Sequence, residues 1–207
     1  SAKPESQRRL VPGISRRKGG PAVDFFGAAA FRQTKMVGAL DAQDTRAMLL
    51  VQNTFAQSTL DVVDPHAPDR TGAVRISTGR PTKVKVKLNN GRPQFEILIT
   101  LEGEVIGMPA LVDYTKSDMR DQLESHVAEE VKEQVETFFK KTQEWQSDVG
   151  GLGRYIVRKF PTVDAWHHFN WPNQYKDAQI TVSVRMQLRR FGVQLSPQPS
   201  GSREKME

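Results

Sequence analysis

The clearest pattern in the chain is an apolar stripe at helical spacing in its second half. Mostly apolar residues recur there at steps of three and four. They are Met119, Leu123, Val127, Val131, Val135, Phe138, Thr142 and Trp145. This period places one apolar stripe along an α-helix. Thr115 and Asp118 fit a capping box at its start, and the glycines of residues 150–153 are expected to end it. The stripe therefore predicts a long amphipathic helix that packs on another element.

Alternating patterns predict three strands with one buried face each. Val84, Val86 and Leu88 alternate with lysines, and the alternation resumes between Phe95 and Leu101 after an Asn-Asn-Gly turn at residues 89–91. A third strand alternates over residues 180–189. Strands that are polar on one face are typical of antiparallel sheets, because parallel strands are usually apolar on both faces. The predicted fold class is α+β, a mainly antiparallel sheet packed against one long amphipathic helix and shorter helices.

The first third of the chain has a different composition. Residues 24–31 and 36–40 are short apolar runs that predict a hairpin, and Asp41 or Asp44 is positioned to cap a short helix after it. Residues 61–80 are rich in Pro, Asp, Gly and Thr, although Val74 and Ile76 are typical of a strand start. We place a domain boundary near residue 58, with a single α+β unit over 58–195.

Composition excludes several classes of protein. The chain has 207 residues, 37% of them hydrophobic, which is enough for one substantial core. It lacks the run of about 18 apolar residues that a membrane-spanning helix needs, so this chain is expected to be soluble. It has no cysteine, which excludes disulfides and thiol catalysis within it.

The positive charge is concentrated at one end. Residues 1–35 hold eight basic and two acidic side chains, an excess equal to the net charge of +6 of the whole chain. Residues 8–18 carry much of it between Gly and Pro residues, a pattern typical of a solvated linker. We predict a basic linker or loop at 1–23 and a disordered tail at 196–207. The alternative is that the basic N-terminal segment forms a polyanion or nucleic-acid-binding module.

Four segments in order resemble one family. They are the run Gly27-Ala-Ala-Ala-Phe-Arg-Gln-Thr-Lys-Met-Val-Gly-Ala-Leu, then Asp44-Thr-Arg-Ala-Met-Leu-Leu; residues 143–153 with their Ser-Asp-Val-Gly-Gly-Leu-Gly corner; residues 160–171, from Phe-Pro to two tryptophans; and residues 180–192, ending in Arg-Arg-Phe-Gly. Together they are similar to the C-subunit lipoproteins of bacterial spore germinant receptors, the Ger(x)C or GerAC-like family. Pro172 departs from the family pattern, because a helix is expected to continue after Trp171.

The resemblance implies a three-domain lipoprotein without catalytic residues. Residues 24–57 would then be the end of the middle domain and 58–195 the C-terminal domain. The family is anchored through an acylated cysteine, here expected upstream of this chain, on the outer face of the inner spore membrane. Its partners would be the membrane-embedded A and B subunits, with no nucleic acid.

Candidate sites for chemistry are weak in this sequence. Asp164, His167 and His168 lie close together, but adjacent histidines point to different sides of a helix and lack a His-x-x-x-His partner. Glutamates between 129 and 136 fit the solvated face of the long helix. The glycines after Val149 lack the strand and the Lys-Ser/Thr ending of phosphate loops. We therefore predict no catalytic, metal or cofactor site. A small hydrolase is the least favoured hypothesis for the function.

Two structural or docking features remain. Asp148, Gly150 and Gly153 are expected to form a structural corner, with Asp148 capping a short helix that begins near Val149. The tryptophans could form a ligand platform, although core packing is favoured. The polar face of the sheet is a candidate surface for docking an acidic partner. Its residues are Lys83, Lys85, Lys87, Arg185 and Arg189. The predicted function is a noncatalytic receptor subunit with a scaffolding or signal-transmitting role in nutrient-triggered germination.

Overall fold

The structure, a computed structural model, describes residues 12–16, 23–108 and 112–191, with side chains described within 27–108 and 112–190. The strands are β1 (Pro12–Arg16), β2 (Val23–Arg32), β3 (Lys35–Leu40), β4 (Gln57–Asp64), β5 (Ala67–Asn89), β6 (Arg92–Gly107) and β7 (Gln179–Phe191). The helices are α1 (Ala42–Gln52), α2 (Ser117–Glu144), α3 (Gly153–Ile156), α4 (Val163–Phe169) and α5 (Trp171–Lys176). A 3-10 turn at Val157–Lys159 follows α3.

The described strands form two sheets. The first has the order β1-β2-β3 and contains the predicted hairpin of β2 and β3. The second has the order β4-β5-β6-β7. Residues 61–80, which are rich in Pro, Asp, Gly and Thr, form the end of β4 and much of β5. The α+β class with a mainly antiparallel sheet is confirmed.

The β5–β6 hairpin follows from its turn residues. Asn89 pairs with Arg92, so the loop has two residues, Asn90 and Gly91, whose φ angles are 49° and 77°. Two consecutive positive φ angles are the requirement of a type I′ turn, and Asn-Gly is the sequence that best tolerates them. The turn sets the register in which Val84 pairs with Ile97 and Val86 with Phe95.

One strand pair differs from the antiparallel expectation. β7 pairs in parallel with β6, in a register that sets Ile97 beside Val182. The chain leaves β6, crosses through α2 and the short helices, and returns in the same direction, as a parallel connection requires. β7 still alternates in polarity because helices cover only one face of the sheet, and its other face remains in water.

The long helix buries the predicted stripe. Side chains from Leu123 to Thr142 at the predicted positions are buried, while Met119 and Trp145 at the two ends are half-buried. They join a single apolar core with β4, β5, β6 and β7. Residues of β3 and α1, including Leu40, Met48 and Val51, belong to the same core. Helix α1 therefore packs against α2, across the boundary that composition suggested near residue 58.

The caps of two helices differ in part from the sequence prediction. Asp41 and Asp44 form a reciprocal capping box at α1. The predicted box at α2 is wrong: the helix begins at Ser117, its N-cap is Lys116 and no side chain caps it. The Thr115 amide instead donates to Asp113 Oδ1 at 3.0 Å, and the Thr115 hydroxyl donates to the same oxygen. This local turn occupies the hydroxyl that the capping box would need.

Helix α2 ends before the glycines rather than at them. Gln146 adopts the left-handed conformation with φ of 49° and donates to Gln143 O at 2.9 Å. Ser147 N–H donates to Thr142 O at 3.0 Å. These two bonds form a Schellman motif, in which an αL residue satisfies the last carbonyls of the helix. Sequence reasoning missed it because glutamine is an uncommon residue at this position.

Candidate functional site

The Asp148 corner is built around one buried carboxylate. Asp148 is 6% exposed, and its Oδ1 accepts from the Leu152 amide at 2.8 Å. Its Oδ2 accepts from the Gly153 amide at 2.7 Å and from Trp171 Nε1–H at 3.0 Å. Both oxygens therefore act as acceptors for fixed N–H donors. The carboxylate holds the start of α3 and the start of α5 at one point.

The helix that Asp148 supports begins later than predicted. It starts at Gly153 instead of near Val149, because residues 148–151 form a turn closed by a 3.1 Å bond from Gly151 N–H to Asp148 O. Gly151 has a φ of 78°, a conformation that glycine adopts without steric cost. A Cβ on Gly153 would lie 2.8 Å from Trp171 Nε1, so glycine allows the indole to reach the carboxylate. Gly150 is buried in the same turn.

Aromatic rings continue from this corner toward the surface. Trp171 is 7% exposed, and its ring centroid lies 5.8 Å from Phe95 of β6 and 5.4 Å from Tyr175. Pro172 is compatible with α5 because it lies in the first turn, where its missing N–H has no helical acceptor. Trp166 is half-buried and stacks 6.3 Å from Trp171. The tryptophans contribute to packing, and Trp171 also donates a hydrogen bond.

The predicted docking face lies on the solvent side of the second sheet. All five of its basic side chains are exposed. Two of them pair with acidic side chains of β6: Lys87 Nζ lies 3.7 Å from Glu96 Oε1, and Arg189 Nη2 lies 2.7 Å from Glu102 Oε1. Within the described residues, Lys83, Lys85 and Arg185 make no salt bridge. Among the described residues, the face therefore carries basic side chains that form no salt bridge.

Sequence reasoning missed three arginines of this face. Arg80 and Arg185 both pair with Thr100 and form one row across three strands. Arg75 bonds Glu104 at 3.1 Å, and Arg190 is the β7 partner of the same glutamate. Register shifts near residues 78–83 and 188–190 interrupt the alternation that would have revealed them.

A second buried carboxylate was also missed. Asp64 is 0% exposed, and its Oδ1 accepts from the Tyr114 hydroxyl and from the His66 amide. Burial, together with this hydrogen bond, raises the pKa of the Tyr114 hydroxyl. The bond ties the loop before α2 to the end of β4. No local sequence signal joins two residues that are fifty positions apart.

A polar seam joins α1 to α2. Lys141 Nζ lies 2.9 Å from Asp44 Oδ2 and 3.6 Å from Asp41 Oδ2. The hydrogen bond to Asp44 raises the pKa of Lys141. Further along α2, Arg46 Nη1 donates to Gln134 Oε1 at 3.1 Å, and burial raises the pKa of nearby Glu130. The seam joins the two helices by polar contacts beside their apolar contacts.

Other candidate chemistry does not converge in the described residues. His167 and His168 are exposed, and His168 Nδ1 is 2.8 Å from the Asp164 carbonyl oxygen. Across residues 12–16, 23–108 and 112–191, no three His, Asp or Glu side chains are grouped as ligands for a metal ion. Within the same ranges, every helix is too short or too polar to cross a membrane.

Comparison with known proteins identifies relatives. The family model described as "Spore germination B3/ GerAC like, C-terminal" matches residues 26–192. Spore germination protein GerQC of Bacillus cereus is 24% identical over 198 residues, which are 91% of this chain and 51% of that protein. Spore germination protein B3 of Bacillus subtilis (strain 168) is 23% identical over 188 residues, 88% of this chain and 48% of that protein. The chain spans about half the length of these relatives.

A solved structure shares the fold. The crystal structure of the GerBC protein aligns with a TM-score of 0.67 at 20% sequence identity, covering 86% of this chain and 55% of that one. The similarity supports the α+β architecture described above. Since the family model matches most of the chain, including the Asp148 corner and β7, the protein belongs to the GerAC-like, C-terminal family of spore germination proteins.

Proposed function

We propose that this chain is part of a noncatalytic subunit of a spore germinant receptor, with a scaffolding or signal-transmitting role in nutrient-triggered germination. The observation that carries the proposal is the family match over residues 26–192. It is supported by Asp148, the acidic residue of the predicted corner, which is a buried hydrogen-bond acceptor that joins two helices. A subunit that works by binding needs a stable scaffold and an exposed surface.

The resemblance extends the proposal to the whole protein. We place residues 24–57 at the end of a middle domain and 58–195 in the C-terminal domain of a protein about twice as long, in keeping with the length of its relatives. A lipid anchor upstream would hold it on the outer face of the inner spore membrane. Its partners there would be the membrane-embedded A and B subunits.

The surface we assign to partner docking is the basic face of the second sheet. Lys83, Lys85 and Arg185 make no salt bridge within the described residues, so a partner's carboxylates can pair with them without displacing an existing salt bridge. Arg80 extends this surface beside Thr100. The partner surface is expected to be acidic, because complementary charge speeds association and excludes wrong partners.

The test neutralises this face in the full-length lipoprotein. A strain that has this receptor alone would carry Lys83→Gln, Lys85→Gln and Arg185→Gln together. Nutrient-triggered germination would be measured as the loss of spore refractility. We expect germination to slow several-fold while the protein remains folded and abundant, since all three side chains are exposed.

The matched control neutralises three exposed lysines elsewhere, Lys116, Lys140 and Lys176. It should germinate like the parent. Equal slowing of both strains would show that net charge matters rather than the face. Normal germination of a strain that lacks residues 58–207 would refute the receptor role itself.

A further inference from the structure

A cluster of exposed and half-buried apolar side chains covers the short helices after the Asp148 corner. We define this aromatic patch as Val157, Phe160, Val163, Trp166 and Phe169. Val163 is 70% exposed and Val157 is 37% exposed, and both belong to the small set of large apolar side chains that face water in the described residues. The three rings are half-buried and in mutual contact, with centroids 4.6 to 6.1 Å apart. Exposed apolar side chains and a cluster of half-buried rings within residues 157–169 point to an interaction site.

The surroundings of the aromatic patch are basic. Arg158 and Lys159 are exposed and make no salt bridge within the described residues. His167 and His168 are exposed on α4. Asp164 is the one acidic residue between positions 153 and 170. An occupant of the patch therefore meets apolar rings at the centre and positive charge at the rim.

The aromatic patch packs on the buried ring of Trp171. Trp166 and Phe169 stack on Trp171, at centroid distances of 6.3 and 6.5 Å, and Trp171 is fixed by its bond to Asp148. Short helices of seven and six residues would be marginal by themselves, so this stacking is what orders them. The rings are thus presented to the surroundings in one arrangement.

Charge complementarity and shape favour a lipid surface as the occupant. An amphipathic peptide helix binds by laying its apolar face into a groove. Depressions of the described surface near Asn89 and Arg92, and near Asp61 and Met108, lie away from the aromatic patch. Partly exposed tryptophan beside aliphatic and basic side chains is the combination favoured at the headgroup region of anionic bilayers.

We propose that the aromatic patch inserts into the headgroup region of an anionic lipid bilayer and orients this part of the protein on the membrane. The inference rests on the proposed location at a membrane surface and adds a contact made by the chain itself. It predicts binding through Val163 and Trp166, with Arg158 and Lys159 pairing with lipid phosphates. The sheet face stays free for a protein partner.

The test uses the 207-residue chain and vesicles whose acyl chains carry bromine, which quenches only tryptophans near the lipid. Vesicles of phosphatidylcholine with about a third phosphatidylglycerol should quench the fluorescence, and vesicles of phosphatidylcholine alone should quench it much less. Val163→Asp should weaken partitioning about tenfold and abolish quenching, because it replaces an apolar contact by a repelled charge.

Matched variants distinguish vesicle binding through the aromatic patch from electrostatic binding through the basic N-terminal segment. Val63→Asp makes the same change at a valine that is 44% exposed on β4, and should leave quenching unchanged. Arg158→Gln with Lys159→Gln should weaken binding more than Lys83→Gln with Lys85→Gln.

Three results would overturn the proposal: vesicle binding without quenching, equal effects of Val163→Asp and Val63→Asp, or no effect of either. Suppose that vesicles did not quench the parent chain but that Val163→Asp still slowed germination. The patch would then belong to a protein interface. All of these results leave the receptor role itself standing, since that role is tested by germination of the sheet-face and deletion strains.

Discussion

At the scale of single residues, two buried carboxylates organise the described structure. Asp148 accepts from two backbone amides and one indole, and Asp64 accepts from a phenol and a backbone amide. Hydrogen bonds to charged acceptors are stronger than neutral ones, and the loss of an acceptor leaves its donors buried and unpaired. Substitution at such positions therefore measures the role of the carboxylate directly.

Asp148→Asn is expected to destabilise the protein by about 1–3 kcal/mol. Asparagine keeps one acceptor oxygen, but its amide group turns a donor toward an N–H group of Leu152, Gly153 or Trp171. The free energy of unfolding from urea titration measures the change. Asp69→Asn, at an exposed position, should change it by less than about 0.5 kcal/mol. An Asp148→Asn variant as stable as the parent would contradict the structural role of the second oxygen.

Glu130→Gln is expected to stabilise the protein near neutral pH. Burial raises the pKa of this carboxyl above its ordinary value of 4.5, and charges on Glu133 and Asp61 add to the shift, while His126 and Arg46 partly offset it. A carboxyl group with a raised folded-state pKa contributes stability below pH 4.5 that is lost as the pH rises through the folded value. The difference in Tm between variant and parent should thus be largest at neutral pH and shrink below pH 4.5. Exposed Glu133→Gln is the control, and a variant less stable than the parent at neutral pH would refute the sign.

At the scale of elements, the decisive contact is the one between α2 and the second sheet. The helix has 28 residues, and its buried positions recur at the spacing that the sequence predicted. Because α2 also connects β6 to β7, its packing fixes the parallel pairing of these strands. The polar seam between α1 and α2 adds two contacts to this packing, one made by Lys141 and one made by Arg46.

Val131→Asp is expected to unfold the domain. Val131 is 1% exposed, and an unpaired buried carboxylate costs several kcal/mol, comparable to a whole net stability of about 5–15 kcal/mol. Thr137→Asp on the exposed side of the same helix should have little effect. Circular dichroism during thermal unfolding distinguishes them. Equal melting of Val131→Asp and the parent would mean that the stripe is not buried.

At the scale of the whole molecule, the basic charge is concentrated at one end of the chain. The excess of basic residues at 1–35 equals the net charge of +6, whereas most core residues among the described side chains come after residue 35. Within the predicted linker at 1–23, residues 12–16 form β1. Residues 1–11, residues 17–22 and the predicted tail at 196–207 lie outside the described residues, so the linker and the tail stay predictions. So does the domain boundary near residue 58, although α1 shares a core with the strands that follow it.

Deletion of residues 1–20 is expected to abolish weak, salt-sensitive binding to DNA and to lower the Tm only slightly, because it removes the five-residue edge strand β1 and leaves the β2–β3 hairpin in place. The described core residues lie outside the deleted segment, and phosphate binding through a basic segment weakens as salt rises. Calorimetry and a salt titration of DNA binding measure the two effects. DNA binding that survives the deletion at physiological salt would favour the polyanion-binding alternative.

The sequence by itself determined the features that depend on local periodicity and turn chemistry. The α2 stripe, the Asn90-Gly91 hairpin and the α1 cap follow from residues within a few positions of one another. Family membership was also accessible, because it depends on the order of motifs along the chain.

Only the tertiary structure decided the features that join distant residues. It set β7 parallel to β6, brought Trp171 to Asp148 and Tyr114 to Asp64, and placed Arg80 in a row with Arg185. The physical reason is that each of these contacts closes a long loop and is selected by packing of the whole core, so no local pattern encodes it.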